Sequence, residues 1–232
     1  MRTARAPAAT RDRQPHPAPR LHPLRLPAGR HTLRSLGLAG PRRSHVRRGG
    51  RPLPNRDAKA ALLTPDTAAT GEAIQQAIIE ATARLQMLGD DLDEAGVSAI
   101  AEALRQHANG ISPDEAELAW LLVLLTHPSV CNRASGRTEP NQQHLAFWIE
   151  ITRRAPEPFV LAPATLLAFT AWRFGDGMIA TLAAERALNI DPANETALAI
   201  LYAVNAGISA AEIERSIDDQ STASRREDDH GK

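Results

Sequence analysis

The sequence predicts an all-α fold, a helical bundle of about seven or eight helices ending in a two-helix hairpin and preceded by a disordered Arg/Pro-rich leader. Three observations carry this expectation. From Thr64 onward, apolar residues recur near helical spacing between N-cap and glycine signals. The longest unbroken apolar run, Leu118 to Leu125, is eight residues, far short of the roughly 20 that a membrane span needs. Residues 1–56 carry 14 Arg against one acid, Asp12, whereas the remainder sums to −13, so a net charge of zero hides two physically different segments.

The segment 1–56 has nine prolines and five glycines and lacks Phe, Trp, Tyr, Ile and Lys. Such a segment buries too little apolar surface to offset its ordering entropy, and disorder is expected. Three readings stay open for it. The run Arg42-Arg43-Ser44-His45-Val46-Arg47-Arg48 suits phosphates, although no aromatic residue accompanies it for base stacking. Its Arg-rich, acid-poor composition also suits a targeting peptide, but the apolar stretch of a secretory signal is missing and the prolines oppose an amphipathic helix. The third reading places the start of translation further downstream, since GC-rich DNA read outside its coding frame yields Arg, Pro and Ala. The domain is expected over 57–217, followed by a charged, disordered tail over 218–232. With one cysteine, Cys131, no internal disulfide forms, and a cytoplasmic protein is expected.

The helices follow in order. Thr64-Pro65 and Thr70-Gly71-Glu72 open the first, with Ile74, Ile78, Leu85 and Leu88 on its apolar side and Gly89 at its end. Asp91 with Glu94 predicts a capping box for the second, which Asn109-Gly110 closes. Ser112-Pro113-Asp114-Glu115 starts the third, with Ser112 as N-cap and Pro113 in the first helical position. That helix is apolar on all sides and is expected at the domain centre, with Pro128 as its terminator. A polar loop is expected from Ser129 to Asn141, then a helix from His144 to Arg154 burying Leu145, Trp148, Ile149 and Thr152. Ala155-Pro156-Glu157-Pro158 breaks it.

A hairpin follows from Pro163 to Phe174 and Gly177 to Asn189. Leu167, Ala168, Gly175-Asp176, Ala180, Ala187 and Pro192 reproduce the order and spacing of a tetratricopeptide repeat, which the hairpin resembles. Ala171 stands where that pattern has an aromatic, and Ala184 where it has a large residue. Repeat arrays need about three repeats to stand alone, so a single repeat-like unit built onto other helices is expected. Asp191-Pro192 begins a helix through Asn205, and Ser209 with Glu212 begins a last short one.

A wider likeness rests on His144-Leu145-Ala146-Phe147-Trp148, Arg153-Arg154-Ala155-Pro156-Glu157-Pro158-Phe159, Ala162-Pro163-Ala164, Leu166-Leu167-Ala168-Phe169, Ala171-Trp172 and Gly175-Asp176-Gly177. It continues through Glu185-Arg186-Ala187-Leu188 and Asp191-Pro192, and backwards more loosely to about Asp57. Through these residues the chain resembles the actinobacterial family known as domain of unknown function 4192. The resemblance implies a fold and a taxon and no activity. Members begin with a further half containing strands, which residues 1–56 do not resemble, so the chain corresponds to the helical half, truncated or joined to an unrelated leader.

No catalytic, cofactor-binding or metal-binding set is predicted. His127 and Cys131 are four apart, but Pro128 lies between them and no second pair completes four ligands. Cys131 as a nucleophile with His127 or His144 as base lacks an orienting third group in the sequence, and a small loop residue is the plainer reading. Asp90-Asp91-Leu92-Asp93-Glu94 lacks the glycine and distal Glu of a calcium loop. Asn194-Glu195-Thr196 has the glycosylation pattern but reads as a helix start. The candidate interaction surface comprises Arg153, Arg154, Glu157 and Trp172. The two arginines close a helix, where they favour its dipole and can clamp an anion, while pairing with Glu150 or Glu157 is the plainer role. Trp148 and Trp172 are read as core, with groove lining as the alternative. The leading expectation is a non-enzymatic helical module that binds a protein segment along the Pro163–Phe174 helix. The alternative is a nucleic-acid-associated protein acting through 1–56, and the third is an enzyme of unrecognised type.

Overall fold

The structure is a computed structural model that describes residues 56–66, 71–213 and 215. The expected leader, apart from Arg56, and the expected 218–232 tail lie outside the described residues, as does the Thr70 start signal. No strand occurs among the described residues, and the helices are α1 Arg56–Ala61, α2 Glu72–Gln86, α3 Leu92–Ala108, α4 Glu115–Leu124, α5 Pro128–Arg137, α6 Gln142–Arg154, α7 Leu161–Phe174, α8 Gly177–Ile190 and α9 Glu195–Asn205, with residues 210–213 helical after the expected Ser209 start. The all-α expectation holds, and α1 and α5 are additions to it. No helix among the described residues is long and apolar enough to cross a membrane.

Several helix starts differ from expectation. At α4 the cap is Asp114 rather than Ser112. Asp114, extended at ψ −180°, accepts a 2.8 Å bond from Glu117 N while Glu117 accepts one from Asp114 N, so the reciprocal box forms two residues after Ser112. The box expected at Asp91 and Glu94 does not form. A single 3₁₀ turn, Gly89–Asp91, feeds directly into α3, so Asp91 sits at ψ 2° instead of the extended geometry a cap needs, and its side chain makes no cap bond. Asp93 pairs instead with Arg133 of α5 at 2.9 Å. At α9 the cap is Asn194, which accepts from Ala197 N, and Asp191-Pro192 belongs to the preceding turn.

The expected polar loop 129–141 is largely α5. Pro128 opens this helix at its first position, where a missing N–H costs nothing, rather than ending α4, which closes at Leu124. Val130, Cys131 and Ala134 form its buried side. Gly96 of α3 lets Val130 approach, because a Cβ at Gly96 would lie 2.6 and 2.7 Å from the Val130 methyls.

α4 and α7 form the interior. Leu118, Ala119 and Leu121 through Leu124 of α4 are all buried, and α2 and α3 cover them. In α7 every residue from Leu161 to Ala168 is buried, and α5, α6, α8 and α9 surround it. α7 starts two residues ahead of Pro163, which falls in the first turn, where backbone N–H groups lack helical partners anyway. Gly175, left-handed at φ 88°, ends α7, and Asp176 caps α8 by accepting from Ile179 N at 3.1 Å. Ala180, Ala183, Ala184 and Ala187 are fully buried, so the two helices lie close together.

α6 starts at Gln142 with Asn141 as its cap. It buries Leu145, Trp148 and Thr152 as expected, adds Phe147 and Ile151, and leaves Ile149 half-exposed. The indole of Trp148 donates to Thr138 Oγ1 at 3.1 Å, and Arg173 of α7 donates to the Thr138 carbonyl. One residue after α5 thereby joins α6 to α7.

Candidate functional site

The two arginines that close α6 diverge. Arg154 turns toward the start of α4, where Nη1 donates to the Pro113 carbonyl at 2.6 Å and to Glu150 at 3.2 Å. Glu150 also meets His107 of α3 at 3.3 Å, so one carboxylate ties α3 to α6. Arg153 faces the other way and donates through Nε to the Thr64 carbonyl at 3.2 Å, while its own carbonyl accepts from Asp66 N at 2.9 Å.

Thr64 and Asp66 belong to a strap, residues 56–66, that consists of α1 and the chain just after it. Arg186, on α8, donates to the Leu63 carbonyl at 2.7 Å. Burial pulls the Arg186 guanidinium below its ordinary pKa, and the nearby Glu157 carboxylate opposes that shift. Lys59 meets Asp176 at 2.5 Å with both side chains mostly buried, and Arg56 meets Glu185 at 2.9 Å in solvent. Leu63 is 7% exposed and inserts into the core. The seat beneath the strap is therefore an apolar hole flanked by two arginines that read carbonyls and two carboxylates that read cations.

Of the four expected interaction residues, Arg153 bonds the strap, and Glu157 is exposed and acts electrostatically on Arg186. Arg154 is engaged elsewhere, in the pairing with Glu150 that was its plainer role. Trp172 is separate from the seat: it is half-buried on α7, and its indole donates to the Ile208 carbonyl at 3.0 Å. Sequence reasoning did not single out Arg186, Lys59, Leu63 or Glu185 as site residues. The pairs join positions more than a hundred residues apart, and the one local signal was the spacing of Arg56, Lys59 and Leu63 at i, i+3 and i+7.

A second apolar surface involves the α7–α8 turn and α9. Phe174 and Met178 at the α7–α8 turn and Leu198 and Tyr202 on α9 are large apolar residues left exposed. Leu198 and Tyr202, four apart, share one outward stripe of α9, opposite the buried Ala197, Ile200 and Ala203.

Nucleophilic chemistry finds no support at Cys131. Its thiol is enclosed, and burial pushes its pKa up to about 12, so the thiolate is suppressed at neutral pH. His127 meets it only through the backbone, with Cys131 N donating to the His127 carbonyl. Among the described residues no three His, Cys, Asp or Glu side chains are placed to hold a metal ion.

Neither the comparison with curated proteins nor that with solved structures finds a match. The family model described as Domain of unknown function (DUF4192) matches residues 39–211. The match reaches further into the basic segment than the Asp57 limit of the sequence likeness, and it takes in the strap, the seat and α1 to α9. Spanning about three quarters of the chain, it shows that the protein belongs to the DUF4192 family.

Proposed function

We propose that the protein is a non-enzymatic helical protein–protein interaction module, in which the tetratricopeptide-like hairpin α7–α8 and the following α9 present an apolar edge to a protein segment. The observation that supports this reading is the outward stripe of Leu198 and Tyr202 on α9, with Phe174 and Met178 also exposed at the α7–α8 turn. A stacked helix would cover such a stripe in a longer array. The groove expected along Pro163–Phe174 is closed, because α5, α6, α8 and α9 surround α7, so the reading moves to this edge. Co-purification with the full chain tests it. A partner retained by the native chain and lost from Leu198→Glu and Tyr202→Glu, both on an exposed face, supports the module. Absence of any partner, or one indifferent to both substitutions, removes it.

The charge division favours one second reading, a nucleic-acid-associated protein acting through residues 1–56 at net +13. Salt-dependent DNA binding by the full chain that disappears when residues 1–55 are deleted supports it. Equal binding by both chains rules out the segment's role.

A further inference from the structure

The strap is attached in an unusual way for part of a domain. α1 buries none of its residues, and the only apolar anchor of the whole strap is Leu63. The hydrogen bonds from α6 and α8 go to strap backbone atoms: Arg186 to the Leu63 carbonyl, Arg153 to the Thr64 carbonyl, and Asp66 N back to the Arg153 carbonyl. Side-chain identity is read at Arg56 by Glu185, at Lys59 by Asp176 and at Leu63 by the core. Those positions stand at i, i+3 and i+7, the first two on α1 and Leu63 in the turn that follows it. Backbone reading, one apolar anchor and flanking charge complementarity are the features of a bound peptide.

We propose that residues 56–66 are a ligand segment held in cis, and that the seat on α8 and the end of α6 is a site for a linear peptide with cations at i and i+3 and leucine at i+7. The chain occupies its own site. A protein segment of the same pattern competes for it, and displacement of the strap uncovers Arg153, Arg186 and the Leu63 hole together. The seat shares no residue with the Leu198–Tyr202 stripe of α9 that tests the module, so the failure of either leaves the other standing.

The test places a specific protease site between Asp66 and Gly71 of the full chain, so that the strap is cut from the body after folding. A fluorescent synthetic peptide of residues 56–66 is then titrated against the cut protein by anisotropy. The cut protein should keep its helical circular dichroism and bind the labelled peptide saturably. Leu63→Ala in the peptide should weaken binding by about tenfold or more, the loss expected of a central anchor. Leu62→Ala, at a neighbouring position that is 47% exposed, should leave it within about twofold. Lys59→Ala should weaken binding to the native seat but not to an Asp176→Asn chain, in which the cap acceptor of α8 survives and the charge does not. Loss of helicity on cutting would make the strap an integral part of the fold and overturn the proposal. So would absence of peptide binding, or equal binding by the Leu62→Ala and Leu63→Ala peptides.

Discussion

α7 and the strap both lie against α8, yet opposite means hold them there. α7 is enclosed by four helices and presents Leu166, Leu167, Ala168 and Ala171 fully buried, so its position follows from apolar area removed from water. The strap contributes one buried leucine and otherwise depends on ion pairs and bonds to its backbone. An exposed pair such as Arg56–Glu185 contributes about 0–1 kcal/mol, whereas a buried leucine contributes roughly 2 to 3. The interior should therefore respond to loss of volume, and the strap to loss of Leu63 and of charge.

The largest effect should come from Trp148→Ala. Trp148 is fully buried on α6, lies 4.9 Å edge-on from Phe147, and donates to Thr138. Its removal should cost about 3–5 kcal/mol in urea unfolding, through lost burial and the cavity left behind. A loss under about 1 kcal/mol would mean that α6 is no better packed than the strap, and the contrast would fail.

Gly96→Ala should come next, at about 1–3 kcal/mol, because the new methyl enters a space already filled by Val130. The intrinsic gain of alanine over glycine in a helix, about 1 kcal/mol, works against that loss. The double variant with Val130→Ala separates the two terms. Shortening Val130 should recover much of the overpacking loss, and a Gly96→Ala chain as stable as the native one would show that α3 and α5 do not approach this closely.

The same difference in means explains how much was legible in the sequence. α2, α3, α4, α6, α7, α8 and α9 are visible because their apolar periodicity and terminal signals lie within one stretch of chain. α5 is not, since Pro128 reads equally as the end of one helix or the start of another, and its buried side needs only Val130, Cys131 and Ala134 among polar neighbours. α1 falls almost wholly within the expected 57–217 domain but shows no helix in the sequence, because it has no buried residue to give it a period. Arg153, singled out from a local cluster, is one of the residues that contact the strap. Arg186 lies in the stretch that carries the family likeness, but nothing near it in the chain shows that the Leu63 carbonyl will lie against it. The N-cap of α4 gives a small test of such local reading. Asp114→Ala should cost about 1 kcal/mol through loss of the capping box, while Ser112→Ala should cost almost nothing, and the reverse order would restore Ser112 as the cap.

The smallest expected effect, and the only one with the opposite sign, is at Thr152. It lies one residue before Arg153, yet it faces the interior, and its buried hydroxyl has no hydrogen-bond partner. In the strap, polar atoms meet polar partners across the seat; at Thr152 the apolar interior leaves one unsatisfied. A buried hydroxyl without a partner carries its desolvation cost uncompensated, and valine has nearly the same shape without that group. Thr152→Val should therefore leave stability unchanged or raise it by up to about 1 kcal/mol in the same urea measurement. A loss greater than about 1 kcal/mol would mean that the hydroxyl has a partner in solution, and that the end of α6 is held by polar contacts on its inner face as well as on the face that meets the strap.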